Sequence, residues 1–306
     1  MGTSMTIASL TEFFEGFPDE GACESYLLEV RYPSGWHCPR CGGVRFGRIR
    51  CRREFQCRDC GHQTSLTVGT MFENSHLPLR KWFLAIYAAT HDKRGISALA
   101  LSKELSVTYR TAWYMLQRIR KAMAAEGGKE VLDFEVEVDD AYIGASGGKR
   151  GRGTSKTPFI VAVERLRGGG AVMRVADGVN ARVYERFAAD HVGHAAHIRA
   201  DAASVIRAGL SRWGGLECAP FDAHDPQASL PVVHHVISNF KAFIQGTFHG
   251  VGRKYLQDYM YEFSYRYGRR REAGIFRMLL EDMCASGQCS LWEVKNLPFE
   301  PLAKAA

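Results

Sequence analysis

DFEVEVDDAYIG, residues 133–144, alternates Phe134, Val136 and Val138 with Glu135, Glu137 and Asp139. A period of two is the mark of a β-strand. Downstream, strand-like runs recur at PFIVAVER, AVMRVADG and AHIRAD, with a helical segment, ARVYERFAADHV, between the last two. Strands followed by strand–helix–strand alternation predict an α/β domain from about 131 to 285. Upstream, Gly127-Gly128 forms a joint, and residues 77–126 turn helical in pattern, with Ile96, Leu99, Leu105, Ala112, Met115, Leu116 and Ile119 at helical spacings. Residues 38–70 are rich in Arg, Gly and Cys, and 1–37 suggest one or two short helices ending near Pro33.

The chain has 306 residues, of which 46% are apolar, enough for two or three compact units with real cores. A net charge of +7 favours an anionic partner without identifying it. No apolar run approaches the roughly eighteen residues that a membrane span needs. The first residues lack a basic segment and carry Glu12 and Glu15, unlike a signal peptide. Nine cysteines is an odd number, which fits a reducing cytosol better than a paired disulfide framework.

Cys38-Pro-Arg-Cys41 and Cys57-Arg-Asp-Cys60 are two C-x-x-C knuckles separated by fifteen residues. Zinc takes four thiolates in a tetrahedron, and a two-residue gap lets two thiolates of one tight turn reach the same ion. Gly42 and Gly61 follow the knuckles, where the chain must turn sharply, and Cys51 falls outside the ligand spacing. Around these cysteines Arg31, Arg40, Arg45, Arg48, Arg50, Arg52, Arg53 and Arg58 outnumber Glu54 and Asp59. Such a surface suits phosphate contact. Further on, 95–105 reads as a helix, 106–108 as a turn, and a second helix from about 109 carries Arg110, Thr111, Trp113 and Arg118. This is the length pattern of a helix-turn-helix, whose second helix enters the major groove.

Asp139 stands on the face of its strand opposite Val138, and Asp201 ends the short strand HIRAD. Carboxylates at strand ends can hold divalent magnesium, although such aspartates more often serve turns. In VVHHVISNFKAFIQG (232–246), Val233, Val236, Ile237, Phe240 and Ile244 form an apolar helical stripe. His234 and Lys241 are two turns apart and project from one face, whereas Asn239 points away from both.

The stretches FPDEGACESYLLEVRYPSGWHCPRCGG, CRDCGHQTSLTVGTMFENSHLPLRKW, EVDDAYIG and HHVISNFKAFIQGTFHGVGRKYLQDYMYEFSYRYGRRR, in that order, resemble bacterial insertion-sequence transposases with an N-terminal zinc ribbon. The resemblance implies an RNase H-like catalytic domain of the DDE type, a mixed sheet flanked by helices, preceded by a zinc ribbon and a helix-turn-helix module. Its expected boundaries here are 1–37 for an N-terminal helical segment, 38–70 for the ribbon, 71–127 for the DNA-binding helices, 128–285 for the catalytic domain and 286–306 for a tail. It further implies catalytic aspartates at Asp139 and Asp201, and a third residue that is Glu, His or Asn in different branches, followed by a lysine. Anchoring on Lys241 and GTFHG puts His234 in the third place; Asn239 is the competing assignment. Asp140 stands where Glu is common, and Tyr267-Gly268-Arg269-Arg270 replaces a more usual Phe-Asn-Arg-Arg.

As the resemblance has it, Cys38, Cys41, Cys57 and Cys60 hold structural zinc, and Asp139, Asp201 and His234 hold catalytic magnesium or manganese. Lys241 binds a phosphate beside the scissile bond. Arg48, Arg50, Arg52, Arg53, Arg110 and Arg118, the loop cations Lys149, Arg150, Arg152 and Lys156, and the late pair Arg269 and Arg270 contact the DNA backbone. The tyrosines 255–267 read as helix core rather than as stacking platforms. The implied partner is double-stranded DNA, both the terminal inverted repeats and the target, bound by a homodimer or higher oligomer near the bacterial nucleoid in the cytoplasm. The rival readings are a sequence-specific DNA-binding regulator with an inactive catalytic domain, and a metal-dependent nuclease without strand transfer.

Overall fold

A computed structural model describes residues 7–49, 52, 54–128, 130–144, 156–166, 168–219, 230–297 and 299–302. The chain divides into two compact units, Met1–Met123 with Glu272–Lys295, and Ala124–Arg271 with Asn296–Ala306. No helix among the described residues is long and apolar enough to cross a membrane.

In the first unit, α1 (Leu10–Gly16) opens on Ser9, whose hydroxyl accepts from the Glu12 amide while Glu12 reaches back to the Ser9 amide. This reciprocal capping box closes two donors that a helix start leaves open. In α2 (Glu20–Arg31) Asp19 caps the Ala22 amide at 2.8 Å. The ribbon follows as three antiparallel strands, β1 (Phe46–Ile49), β2 (Glu54–Cys57) and β3 (Gln63–Ser65), around a small core of Trp36, Phe46 and Phe55. Next, α3 (Leu79–His91) begins behind Pro78, which offers no side-chain cap. Glu20 supplies it, accepting from the Leu79 and Arg80 amides at 2.6 and 3.1 Å.

The helices α4 (Ala98–Glu104) and α5 (Tyr109–Gly127) are joined by four residues, with Ser106 in the left-handed region at φ 49°. Ile96, Leu105, Ala112, Met115, Leu116 and Ile119 are buried as their spacing predicts; Leu99 instead lies 57% exposed.

The residues from 272 onward return to the first unit: α10 (Ile275–Ala285) packs there, as does most of α11 (Leu291–Asn296). The cause is aromatic: Phe276 enters a cluster with Phe13, Phe17, Tyr26 and Phe83. The Met71 amide also donates to the Met283 carbonyl at 2.9 Å. Edge-to-face rings add to the burial already gained, so Phe276→Ala would cost about 3–5 kcal/mol.

The second unit is a mixed five-stranded sheet flanked by helices. Its strands are β4 (Glu135–Ile143), β5 (Thr157–Glu164), β6 (Ala171–Val175), β7 (His197–Asp201) and β8 (Gly215–Ala219), in the order β6-β5-β4-β7-β8. β4 is central, antiparallel to β5 and parallel to β7, and β7 is parallel to β8. Both faces are covered. On one, Val136, Val138 and Ile198 pack with Tyr184 and Phe187 of α6 (Ala181–His191). On the other, Ala141, Phe159 and Val161 meet α8 (Pro231–Phe243) and α9 (Arg253–Gly268). Within α9, Tyr259, Tyr261 and Tyr265 are buried. A strand covered on both sides has no solvent face, so the polar positions of β4 must find partners inside the unit. Phe134, expected at the apolar start of the strand, is 69% exposed and adopts φ 62° just before β4 begins.

Candidate active site and zinc centre

The knuckles form as their spacing requires. Gly42 and Gly61 take φ 74° and 72°, and their amides close back on the carbonyls of Cys38 and Cys57 at 2.9 and 3.0 Å. The amides of Arg40 and Gly43 point at the sulfurs of Cys38 and Cys41, both at 3.4 Å. All four sulfurs lie within 4.8 Å of one another, with Cys38–Cys60 at 3.7 Å and Cys41–Cys57 at 3.6 Å. Tetrahedral zinc with Zn–S bonds of about 2.3 Å demands sulfurs about 3.8 Å apart. The cluster is a structural zinc site.

The acidic cleft is assembled from elements far apart in sequence. The β4–β7 register pairs Val138 with Ala200, so the next residues on these parallel neighbours are Asp139 and Asp201. On α8, packed against the same face as Asp139, His234 places Nε2 3.2 Å from Asp139 Oδ2. An open cleft of about 440 Å³ is lined by Asp139, Lys156, His234, Ser238 and Lys241, among others. Asn239, on the same helix, is exposed and does not line it. Burial lowers the Lys241 ammonium below the ordinary lysine value, the charge of Lys156 lowers it further, and Asp139 pulls the other way. Asp140 serves the opposite face: its Oδ1 accepts the Tyr184 hydroxyl at 2.7 Å, while its amide donates to Asp139 Oδ1 at 2.8 Å.

Two carboxylates on neighbouring strands and an imidazole suit a divalent cation in donor chemistry. Among the described residues, however, the four cysteines alone bring three or more ligand atoms within 4.8 Å of one another, so Asp139, Asp201 and His234 stand more openly than a closed metal shell.

Glu137 is the residue that sequence reasoning missed. It shares the strand face of Asp139 and is fully buried. Its Oε2 accepts from the Val232 and Val233 amides at 2.8 and 2.9 Å, capping α8, whose Leu230 and Pro231 provide no side-chain cap. Arg165 Nε lies 3.2 Å from Glu137 Oε1, and the same guanidinium reaches Glu135 at 3.3 Å. A carboxylate at a helix N-terminus is favoured by both the open amides and the helix dipole. Glu137 therefore ties the start of the helix that carries His234 to the strand that carries Asp139. The one available signal was its position in a central strand, where a charge cannot face water.

The expected DNA contacts separate into groups. Arg48, Arg52 and Arg110 are exposed; Arg48 and Arg52 share a groove with Glu20, Glu24 and Glu54, so that surface is mixed rather than purely basic. Arg118 needs correction, being 4% exposed. Its guanidinium donates to the carbonyls of Cys289, Met71 and Glu73 at 2.8, 2.9 and 2.9 Å, which makes it an internal tie of the first unit. Arg269 and Arg270 stack on Tyr265 and Tyr267, each 3.9 Å from the ring centre, and Arg270 also donates to the Gly169 carbonyl. Arg50, Arg53, Lys149, Arg150 and Arg152 lie outside the described residues.

Residues 18–63 match the transposase zinc-ribbon domain, and residues 131–268 match the ISXO2-like transposase domain. The chain is also 32% identical over 172 residues to an uncharacterized protein in transposable element ISH50 of Halobacterium salinarum. That match takes in 50% of this chain and 57% of the relative, so the chain spans little more than half the length of the relative it matches. The chain's ribbon of four cysteines and the mixed-sheet domain that follows thus each match a domain of insertion-sequence transposases.

Proposed function

We propose that this protein is the transposase of an insertion sequence, a DDE-type enzyme that binds terminal inverted repeats, hydrolyses phosphodiester bonds at the element's ends and transfers the freed 3′-hydroxyl strands to target DNA. The observation that carries the reading is the placement of Asp139 and Asp201 side by side on neighbouring parallel strands with His234 beside Asp139, within a matched transposase domain. The strand order, with a central strand antiparallel on one side and parallel on the other, supports the RNase H-like description. Asp139, Asp201 and His234 would hold magnesium or manganese; the ion supplies Lewis-acid activation of the attacking hydroxyl and stabilises the leaving oxygen. Lys241 binds a phosphate next to the scissile bond, where a fixed cation offsets developing charge. The contact of His234 with Asp139 favours His234 over the exposed Asn239 as third residue.

The ribbon and the helices α4 and α5, with Arg48, Arg52 and Arg110 exposed, read the repeats. Transposition requires two ends held together, so the protein acts as a dimer or larger assembly on DNA in the cytoplasm.

The test is a strand-transfer assay with labelled oligonucleotides carrying the element's own ends, in magnesium or manganese. Joined product from the native chain, lost in Asp139→Ala and in Asp201→Ala, is the expected result; full activity in both variants would sink the reading. Cleavage without joined product identifies a nuclease, and specific binding without cleavage identifies a regulator.

A further inference from the structure

The β4–β5 ladder ends at the pair Ile143 and Thr157, so the next residues on the two strands are Gly144 and Lys156. Gly144 takes φ 149°, and a Cβ built on it would meet the Cα, Cγ and Cβ of Lys156 at 3.5, 3.6 and 3.7 Å. These are ordinary contact distances, so the lysine stem runs alongside the strand end, where the backbone angle itself favours glycine. Lys156 lines the cleft that Asp139, His234 and Lys241 also line. Lys156 and Lys241 sit close enough for the charge of one to disfavour the charge of the other. The cleft is thus lined by Asp139 and Asp140 and by two lysines whose charges feel each other.

Two cations in a half-enclosed space repel each other, and an anion between them relieves the repulsion. A phosphodiester fits this pair, because its two non-bridging oxygens can each accept from one ammonium. We propose that Lys156 and Lys241 form a two-lysine seat for one backbone phosphate of the DNA strand crossing the cleft, a role for Lys156 more particular than a loop cation gripping DNA at large. This assignment rests on the transposase reading above. Lys241 approaches from α8 and Lys156 from the start of β5, so the phosphate is gripped from two elements and its position relative to Asp139 is fixed.

The full-length chain is titrated with a random-sequence 30-base-pair duplex across a salt series. Each phosphate contact contributes about 0.9 to the slope of log K against log salt. Lys156→Ala is expected to reduce the slope by about that amount, and Lys156→Arg to keep it. In parallel, ¹³C-methylated lysines are followed by NMR. In Lys156→Ala without DNA the Lys241 signal should titrate at higher pH than in the native chain, and in the native chain the duplex should move it in the same direction. An unchanged slope together with an unmoved Lys241 signal in Lys156→Ala overturns the seat. Failure of the transposase reading is read separately, as plasmid cleavage in manganese that survives Asp139→Ala; the salt slope and the lysine signal report on the phosphate seat whichever way that result falls.

Discussion

The zinc centre and the acidic cleft gather their residues in opposite ways. All four thiolates come from the short run between Cys38 and Cys60, and two tight turns with left-handed glycines bring them together. The cleft draws Asp139 from β4 and His234 and Lys241 from α8, with Asp201 on the neighbouring β7, and the strands and the helix must pack before Asp139 meets His234. The first site is a local sequence pattern whose fold depends on its metal. The second is a by-product of a fold that stands on its own apolar layers, with ligands left open among them. Metal therefore bears on stability in the first, and under the proposed function it would serve chemistry in the second.

Cys57→Ser tests that contrast where the effect is largest. Structural zinc binds such ribbons with apparent free energies of about 10–16 kcal/mol. Loss of one thiolate should release the ion and unfold the ribbon strands, seen as loss of zinc by elemental analysis and of hydrogen-exchange protection over 46–65. Amides of β4 and β7 should keep their protection. A ribbon that stays protected without zinc would break the comparison, because it would mean that Trp36, Phe46 and Phe55 suffice as a core.

The two units share one device, which sharpens the comparison. In each, a proline-led helix lacks a cap of its own and takes one from a distant glutamate: Glu20 for α3 and Glu137 for α8. Glu20 also lies at the surface groove, whereas Glu137 is fully buried against Arg165. Removing Glu137 leaves the Val232 and Val233 amides inside the unit without their acceptor, at about 1–3 kcal/mol for each buried group, while loss of an accessible cap costs about 1 kcal/mol. Glu137→Ala should therefore destabilise the second unit several times more than Glu20→Ala destabilises the first, measured by denaturant unfolding. Equal effects would deny Glu137 its role in positioning α8.

What could be read from the residues follows the same division. Spacing was enough for the four cysteines, a period of two for β4, and short apolar runs for β5, β6 and β7. β8 escaped because GLECA is short and carries a glycine and a charge at the sheet edge. The return of α10 to the first unit could not be seen, since nothing near Phe276 says that its partners are Phe13 and Phe17. Arg118 was misread for a similar reason: the three carbonyls that hold it belong to residues far from it in sequence. Helical phase puts His234 on the face of Lys241, while its neighbour Asp139, 3.2 Å away, comes from a strand that helical phase cannot reveal. Glu137 stayed hidden because an alternating polar residue reads as solvent-facing until the helix above it is known.

The choice of third residue gives a smaller, kinetic test. His234→Ala should lower the cleavage rate roughly 100-fold, with Asn239→Ala within a few-fold of the native chain in the same assay. The reverse ranking would assign the position to Asn239 and leave His234 as a partner of Asp139 alone.

The smallest effect concerns charge within the second unit, away from the cleft. Burial pushes the Glu130 carboxyl up to about 7 from an ordinary 4.5; Arg269 opposes the shift and Glu164 adds to it. Below about pH 4.5 this group is neutral in both folded and unfolded chains and contributes nothing to the pH dependence. Between 4.5 and 7 the folded chain holds the proton more tightly, so stability falls as pH rises. Above 7 the charged form is buried at a cost on the order of 2 kcal/mol, with partial solvent access allowed for. Glu130→Gln should thus match the native chain near pH 4.5 and exceed it at pH 8, seen as slower hydrogen exchange in 157–175. Peptides from 79–119 should exchange alike in both chains. An equal gain at both pH values would trace the effect to packing of the amide, because only a titrating carboxylate makes the difference grow with pH.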